Sequence, residues 1–230
     1  TNTMKRLLLF LLFTFAASQN VILYQPDEMR AESLGCYGHP ITKTPNFDAF
    51  AKESTLFEQA HVSYTVCSQS RVSFVTGWPT HVRGHRSLWS LLHDDEPNLL
   101  KYFKNKSYNV FWRGKNDMLA YDSWNNSVTT ARSMGGVNHG TNTFAMDDPR
   151  YYSFLSDPAP GNINKTLDYN NVAQAIDFLA KQPKDQPFFI FLPLSQPHPP
   201  YSTVEPYHSM YDPKDIPDLR PIGLPNKPDY

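Results

Sequence analysis

Four short stretches carry side chains able to do chemistry, and each follows an apolar run. Asp27 and Glu28 come directly after Asn20 to Gln25 and Pro26. Adjacent carboxylates at the carboxyl end of a strand form a hard oxygen site suited to calcium or magnesium. The same pair also fits an ordinary solvated turn. Cys67 opens Cys67-Ser-Gln-Ser-Arg71, which runs on to Thr76-Gly77. A cysteine at a helix start lies where free backbone N–H groups and the dipole stabilise anions. Arg71, one turn on, adds a cation to the same side. Such surroundings lower a thiol pKa or hold an oxyanion; a buried structural cysteine is the plainer alternative. Lys115, in Arg113-Gly-Lys-Asn-Asp117, can reach an anion at the sheet edge or belong to a simple surface loop. His198, in Gln196-Pro-His-Pro-Pro-Tyr201, is fixed in an extended loop by three prolines. It can carry a proton or donate to an anion, although most loop histidines do neither. The shared position after strands favours one site for a tetrahedral anion.

The elements that must position these residues read as strands alternating with helices. Asn20 to Gln25 is β-branched and apolar and reads as a buried strand stopped by Pro26. Thr44-Pro45 opens a helix, with threonine as cap and proline in the first turn, and Phe47, Phe50 and Ala51 share one face. Leu56 to Tyr64 fits a second strand. Cys67 to Gly77 is a turn entering a helix that the glycine ends. Asn98 to Lys106 is a short helix with Leu99, Leu100 and Phe103 inward. Tyr108 to Trp112 is a strand. Asp168 to Lys181 is the clearest helix, with Val172, Ile176 and Leu179 at helical spacing. Phe188 to Leu194 is a buried strand that Pro193 breaks near its end. The glycine-containing stretches around 114, 135–140 and 161 read as loops, as does the chain beyond Pro197. This order predicts an α/β fold with a mainly parallel central sheet and helices on both faces.

Composition bounds the remaining classes. A chain of 230 residues supports a buried core without disulfides, and two cysteines exclude a disulfide scaffold. A formal net charge of −1 argues against a polyanion-binding surface, so no nucleic-acid partner is expected. Met4-Lys5-Arg6, the apolar run Leu7 to Phe13 and the small residues Ala16 to Ser18 match a signal peptide over residues 1–18. The run is too short for a good membrane span, so none is expected after cleavage. The route would be secreted or lysosomal, or periplasmic or extracellular in a bacterium. Sequons at Asn105, Asn125 and Asn164 fit a secretory path.

At these residues the chain resembles the sulfatase family of the alkaline-phosphatase superfamily. The likeness runs over most of residues 20–205. Asn20 to Gly38 resembles the family's opening strand, metal carboxylates and following loop, and Thr44 to Ser54 its next helix. Cys67-Ser-Gln-Ser-Arg71 with Thr76-Gly77 resembles the signature C-x-P/A-x-R…T-G. Trp112 to Lys115 and Gln196 to Tyr201 resemble the later lysine and histidine motifs. The resemblance implies an alkaline-phosphatase-like fold over 19–230. It implies that a formylglycine-generating enzyme converts Cys67 to formylglycine. One hydroxyl of the hydrated aldehyde would attack the sulfur of a sulfate ester, and the alcohol would leave. The other hydroxyl would then lose its proton and expel sulfate. A divalent cation, usually calcium, would be held by Asp27, Glu28 and modified Cys67. Arg71 would position the modified side chain, and Lys115 and His198 would bind the sulfate. Cys36 matches a scaffold position. The substrate would be a sulfated glycan or a small aryl sulfate.

Four features depart from the family pattern. Gln69 replaces the usual proline or alanine, Glu28 stands where aspartate or glutamine is expected, and Asp117 stands where many members have histidine. The second pair of metal ligands and a further lysine, expected after the histidine motif, have no counterpart in the proline-rich end, where Asp212, Asp215 and Asp218 lack the strand context. The expectation is therefore a domain incomplete at its C-terminus. Two rival readings follow: an impaired homologue that binds sulfated ligands, and a phosphate or phosphonate ester hydrolase of the same superfamily.

Overall fold

The computed structural model describes residues 19–85, 87–130 and 144–217. The expected signal segment 1–18, the stretch 135–140 and Asp218 lie outside the described residues. Three strands, β1 (Val21–Gln25), β2 (Asn109–Trp112) and β3 (Phe188–Pro193), form one sheet in the order β1-β3-β2. Both pairings are parallel, with Val21 opposite Phe189 and Asn109 opposite Phe188. Parallel neighbours require crossovers. Among the described residues these carry five helices: α1 (Pro45–Lys52), α2 (Cys67–Thr76), α3 (Leu99–Asn105), α4 (Trp124–Ser127) and α5 (Leu167–Lys181). None is long and apolar enough to cross a membrane.

Successive strand side chains point to opposite faces, and both faces are covered. Val110, Trp112, Phe189 and Phe191 pack with Val72 and Val75 of α2, Leu100 of α3 and Trp124 of α4. The Trp112 and Trp124 rings lie 4.7 Å apart. On the other face Phe111, Ile190 and Leu192 pack with Ala175 and Phe178 of α5. Each such side chain contributes about 1.5–3 kcal/mol when fully buried. The predicted α/β architecture with helices on both faces is thus observed. Local chemistry fixes the helix ends. Asn98 caps α3 by accepting the Lys101 N–H at 2.8 Å, and Thr166 caps α5 by accepting the Tyr169 N–H at 3.3 Å. Gly77 ends α2 with φ 71°, a left-handed conformation that glycine adopts without steric cost.

Several local expectations are corrected. The strand expected over Leu56 to Tyr64 does not form. Phe57 and Val62 are exposed there, and with no neighbouring strand among the described residues to pair its backbone the segment runs as irregular chain with one turn at 58–59. Among the described strands the first lies at an edge and is not fully buried, with Ile22 and Tyr24 exposed on the face that α5 leaves uncovered. The face of α5 is rotated by one residue: Asn171, Ala175 and Phe178 are buried, whereas Ile176 is 62% exposed. Phe178 takes the inward position because it stacks on Phe111 at 4.6 Å. Phe47, Phe50 and Ala51 do share a side of α1, but that helix buries none of its residues. Thr44 precedes α1 without capping it. Its hydroxyl instead accepts the Gly35 N–H and donates to Asp48, each at 2.9 Å. Asp48 also accepts the Cys36 N–H at 2.8 Å, so side-chain oxygens of Thr44 and Asp48 hold the loop around Cys36 through its backbone amides.

Candidate active site

Each strand exit delivers one side chain to the same end of the sheet. β1 leads into Asp27, which is 5% exposed. β2 leads through Gly114 to Lys115. Gly114 has φ 124°, and a Cβ there would come 2.0 Å from the Pro193 carbonyl oxygen. Only glycine lets the loop press this closely on β3, which brings the Lys115 N–H to the Pro193 carbonyl at 2.7 Å. β3 leads into the turn carrying His198. α2 faces these exits with Cys67 at its first position and Arg71 one turn later.

Charge then knits three of these segments, the β1 exit, the start of α2 and the Lys115 loop. Arg71 donates to Asp27 Oδ1 at 3.0 Å and to Gln25 Oε1 at 3.3 Å. The Lys115 ammonium donates to Asp27 Oδ2 and to Cys67 Sγ, the latter at 3.4 Å, and pairs with Asp117 at 2.9 Å. Cys67 lies 3.9 Å from Asp27 Oδ1. Burial draws the Lys115 pKa down, but the hydrogen bonds and charges of Asp27 and Asp117 together outweigh it and hold it above the ordinary lysine value. Burial first, and then the Asp27 charge, push the unmodified Cys67 thiol up against the opposing pull of Lys115. The expectation that α2 and Arg71 would lower this thiol pKa is therefore reversed. Arg71 donates to Asp27 and Gln25, and the Lys115 ammonium, although closest to the sulfur at 3.4 Å, does not outweigh burial and the Asp27 carboxylate.

Asp27, Cys67 and one ring nitrogen of His198 place ligand atoms within 4.8 Å of one another. His198 Nδ1 lies 2.6 Å from the Pro199 carbonyl oxygen. A carbonyl only accepts, so Nδ1 carries the hydrogen. Nε2 lies 3.4 Å from Glu28 Oε1. The structure thus brings together Asp27, Cys67, Arg71, Lys115 and His198. Glu28 stands at the rim, left-handed at φ 60° and with its side chain 44% exposed. Gln69 is buried in the first turns of α2. Asp117 touches the site through Lys115. Two further participants, Gln25 and Asp168, escape sequence reading. Gln25 looks like a strand residue and Asp168 like a helix-start residue, and neither local pattern signals the distant contact it makes.

Comparison with known proteins gives the family of the chain. A sequence profile of the family described as Sulfatase matches residues 19–218. Human iduronate 2-sulfatase is 29% identical over 234 aligned residues, covering 90% of this chain and 40% of the relative. An arylsulfatase of Clostridium perfringens is 25% identical, covering 91% of this chain and 50% of the relative. The chain therefore spans between two fifths and half of the length of these two curated relatives. Among solved structures, the phosphonate monoester hydrolase of Agrobacterium radiobacter superposes with a TM-score of 0.63 at 21% identity, covering 87% of this chain and 45% of that one. At that identity the likeness concerns the fold.

Proposed function

Because this chain belongs to the sulfatase family, we propose that it forms part of a sulfuric ester hydrolase in which residue 67 acts as formylglycine beside a divalent cation, calcium by preference. The observation that carries this reading is the meeting of Cys67 with Asp27, Arg71, Lys115 and His198 at three strand exits and one helix start. The donor chemistry suits a cation. Asp27, Glu28 and Asp117 set three carboxylates against the permanent charges of Arg71 and Lys115. An anionic substrate entering such a pocket needs further positive charge. With a thiol at 67 the donor set is mixed oxygen, sulfur and nitrogen; an oxygen at that position makes it hard, as calcium prefers. Asp27 and residue 67 would hold the ion, with Glu28 reaching in from the rim.

When present, the aldehyde hydrate supplies the nucleophile for sulfur and the ion polarises sulfate oxygens. The side chains of the chain do the rest. Arg71 fixes the orientation of Asp27. Lys115, ammonium throughout the neutral range, binds sulfate oxygens from the buried side. His198 keeps its Nδ1 hydrogen on Pro199, so Nε2 is the atom that gives or takes a proton at the ester. The substrate class is a sulfate ester of a glycan or small aryl alcohol, and the expected route is secretory.

The test is hydrolysis of an aryl sulfate by full-length protein made with a formylglycine-generating enzyme, with and without chelator and beside Cys67→Ala. Chelator-sensitive turnover that Cys67→Ala abolishes supports the reading. Absence of turnover, or a preference for a phosphate ester over the matched sulfate ester, contradicts it.

A further inference from the structure

Asp168 takes no part in the chemistry above, yet its carboxylate holds the backbone that carries the site. It is the second residue of α5, where a negative charge is favoured by the helix dipole. It does not serve as the cap of its own helix, because Thr166 does that. Instead it accepts the Ser195 N–H at 2.9 and 3.1 Å on its two oxygens and the Gln196 N–H at 2.8 Å. Those two amides begin the turn that leaves β3. The turn is closed by the His198 N–H donating to the Ser195 carbonyl at 3.1 Å. The Gln196 carbonyl in turn accepts the Asp27 N–H at 3.2 Å. One carboxylate therefore fixes a backbone unit that touches both Asp27 and His198, residues far apart in sequence.

We infer that Asp168 is a positioning residue that sets the spacing between His198 and Asp27. Bonds from amides to an ionised acceptor are roughly twice as strong as neutral ones, so the clamp is firm for its size. Asparagine reproduces it only in part: its one oxygen can take both amides, as Oδ2 does here, but it lacks the negative charge, and its NH2 group would face the Ser195 N–H that Oδ1 now accepts. The turn would then relax, and His198 would move relative to Asp27 while Lys115, Arg71 and residue 67 stay in place. Binding of the sulfate by Lys115 would persist and proton transfer at His198 would suffer.

This inference rests on the proposed hydrolase reading for its kinetic arm only. The test compares wild-type full-length protein with Asp168→Asn and with Asp177→Asn, an exposed change on the same helix. For aryl sulfate turnover, Asp168→Asn is expected to lower kcat by about a hundredfold, the scale of a misplaced group, with KM within about threefold. In substrate-free protein, the His198 ring nitrogen NMR signals are expected to shift in Asp168→Asn and to stay in Asp177→Asn. Should Asp168→Asn not fold, Asp168→Ser keeps one acceptor in a position that suits a helix start, and the same two readouts apply. Unmoved His198 signals with an unchanged kcat, whatever the change in thermal stability, would overturn the inference. If wild-type protein turns over no sulfate ester, the hydrolase reading fails, and the ring-nitrogen signals still decide for or against the positioning role.

Discussion

Asp27 and Glu28 are neighbours in sequence and share one strand exit, but the fold treats them as opposites. Asp27 is buried with a guanidinium on one oxygen and an ammonium on the other. Glu28 turns outward through a left-handed backbone and meets only the rim histidine among the ion pairs found for it. The buried wall of the site is thus a closed charge network in which each member is needed to keep the others paired. The rim is more open, with the Glu28 side chain 44% exposed, although the His198 ring beside it is only 12% exposed. Folding stability is at stake on the first side and ligand binding on the second.

The largest expected effect is on the buried wall. Arg71→Ala removes one of the two cations from a buried carboxylate and strands Gln25, and breaking a buried pair in this way costs about 3–5 kcal/mol. Urea unfolding of the variant measures it. A loss below 1 kcal/mol would mean that the wall is wetter than it looks. Gly114→Ala comes next, at about 2–4 kcal/mol, since its Cβ meets backbone in a left-handed conformation. The Lys115 loop should separate from β3 in that variant, which amide hydrogen exchange at Lys115 reports. At the rim, Glu28→Gln should change unfolding free energy by no more than about 0.5 kcal/mol. A cost like that of Arg71→Ala would erase the distinction between the two carboxylates.

Cys67 offers a finer probe of the same contrast in protein where it is unmodified. Its thiol pKa is raised by burial and by Asp27, and the thiolate is the form that alkylates. Iodoacetamide should therefore react slowly at neutral pH. Asp27→Asn should speed the reaction by about threefold to tenfold, while Glu28→Gln should leave it unchanged. The sign for stability follows. The folded state holds this proton more tightly than the unfolded state does. The resulting stability is complete below the unfolded thiol value near pH 8.5 and is lost as pH rises through the folded value. Equal alkylation rates in the two variants would contradict the assignment of Asp27, rather than Glu28, as the carboxylate that acts on the thiol.

Much of this was legible in the sequence because it is local. Apolar runs stopped by Pro26 and Pro193 and the glycine exit at Gly114 mark the strand ends, and Gly77 marks a helix end, each by chemistry within a few residues. The convergence of Asp27, Lys115 and His198 followed from their common place after strands, whereas the strand expected before Cys67 does not form and Cys67 reaches the site from the first position of α2. What stayed hidden depends on tertiary packing. Which of two adjacent carboxylates is buried depends on the two cations that meet Asp27, and which way the thiol pKa moves depends on the burial of Cys67 and then on the Asp27 charge beside it. The inward face of α5 depends on the Phe111 ring that Phe178 stacks on. Leu56 to Tyr64 has strand-like residues but no partner strand among those described. Asp168 reads as a helix-start acid, and its role across the fold leaves no local trace.

The central claim, that residue 67 is the modified nucleophile of a sulfate ester site, is tested most directly by the mass of the peptide spanning it. The protein is made in full length alongside a formylglycine-generating enzyme and digested. The account predicts a peptide whose thiol has been replaced by an aldehyde, with the matching loss of mass and capture by a hydrazide. Folded protein carrying only unmodified cysteine at position 67 would contradict it.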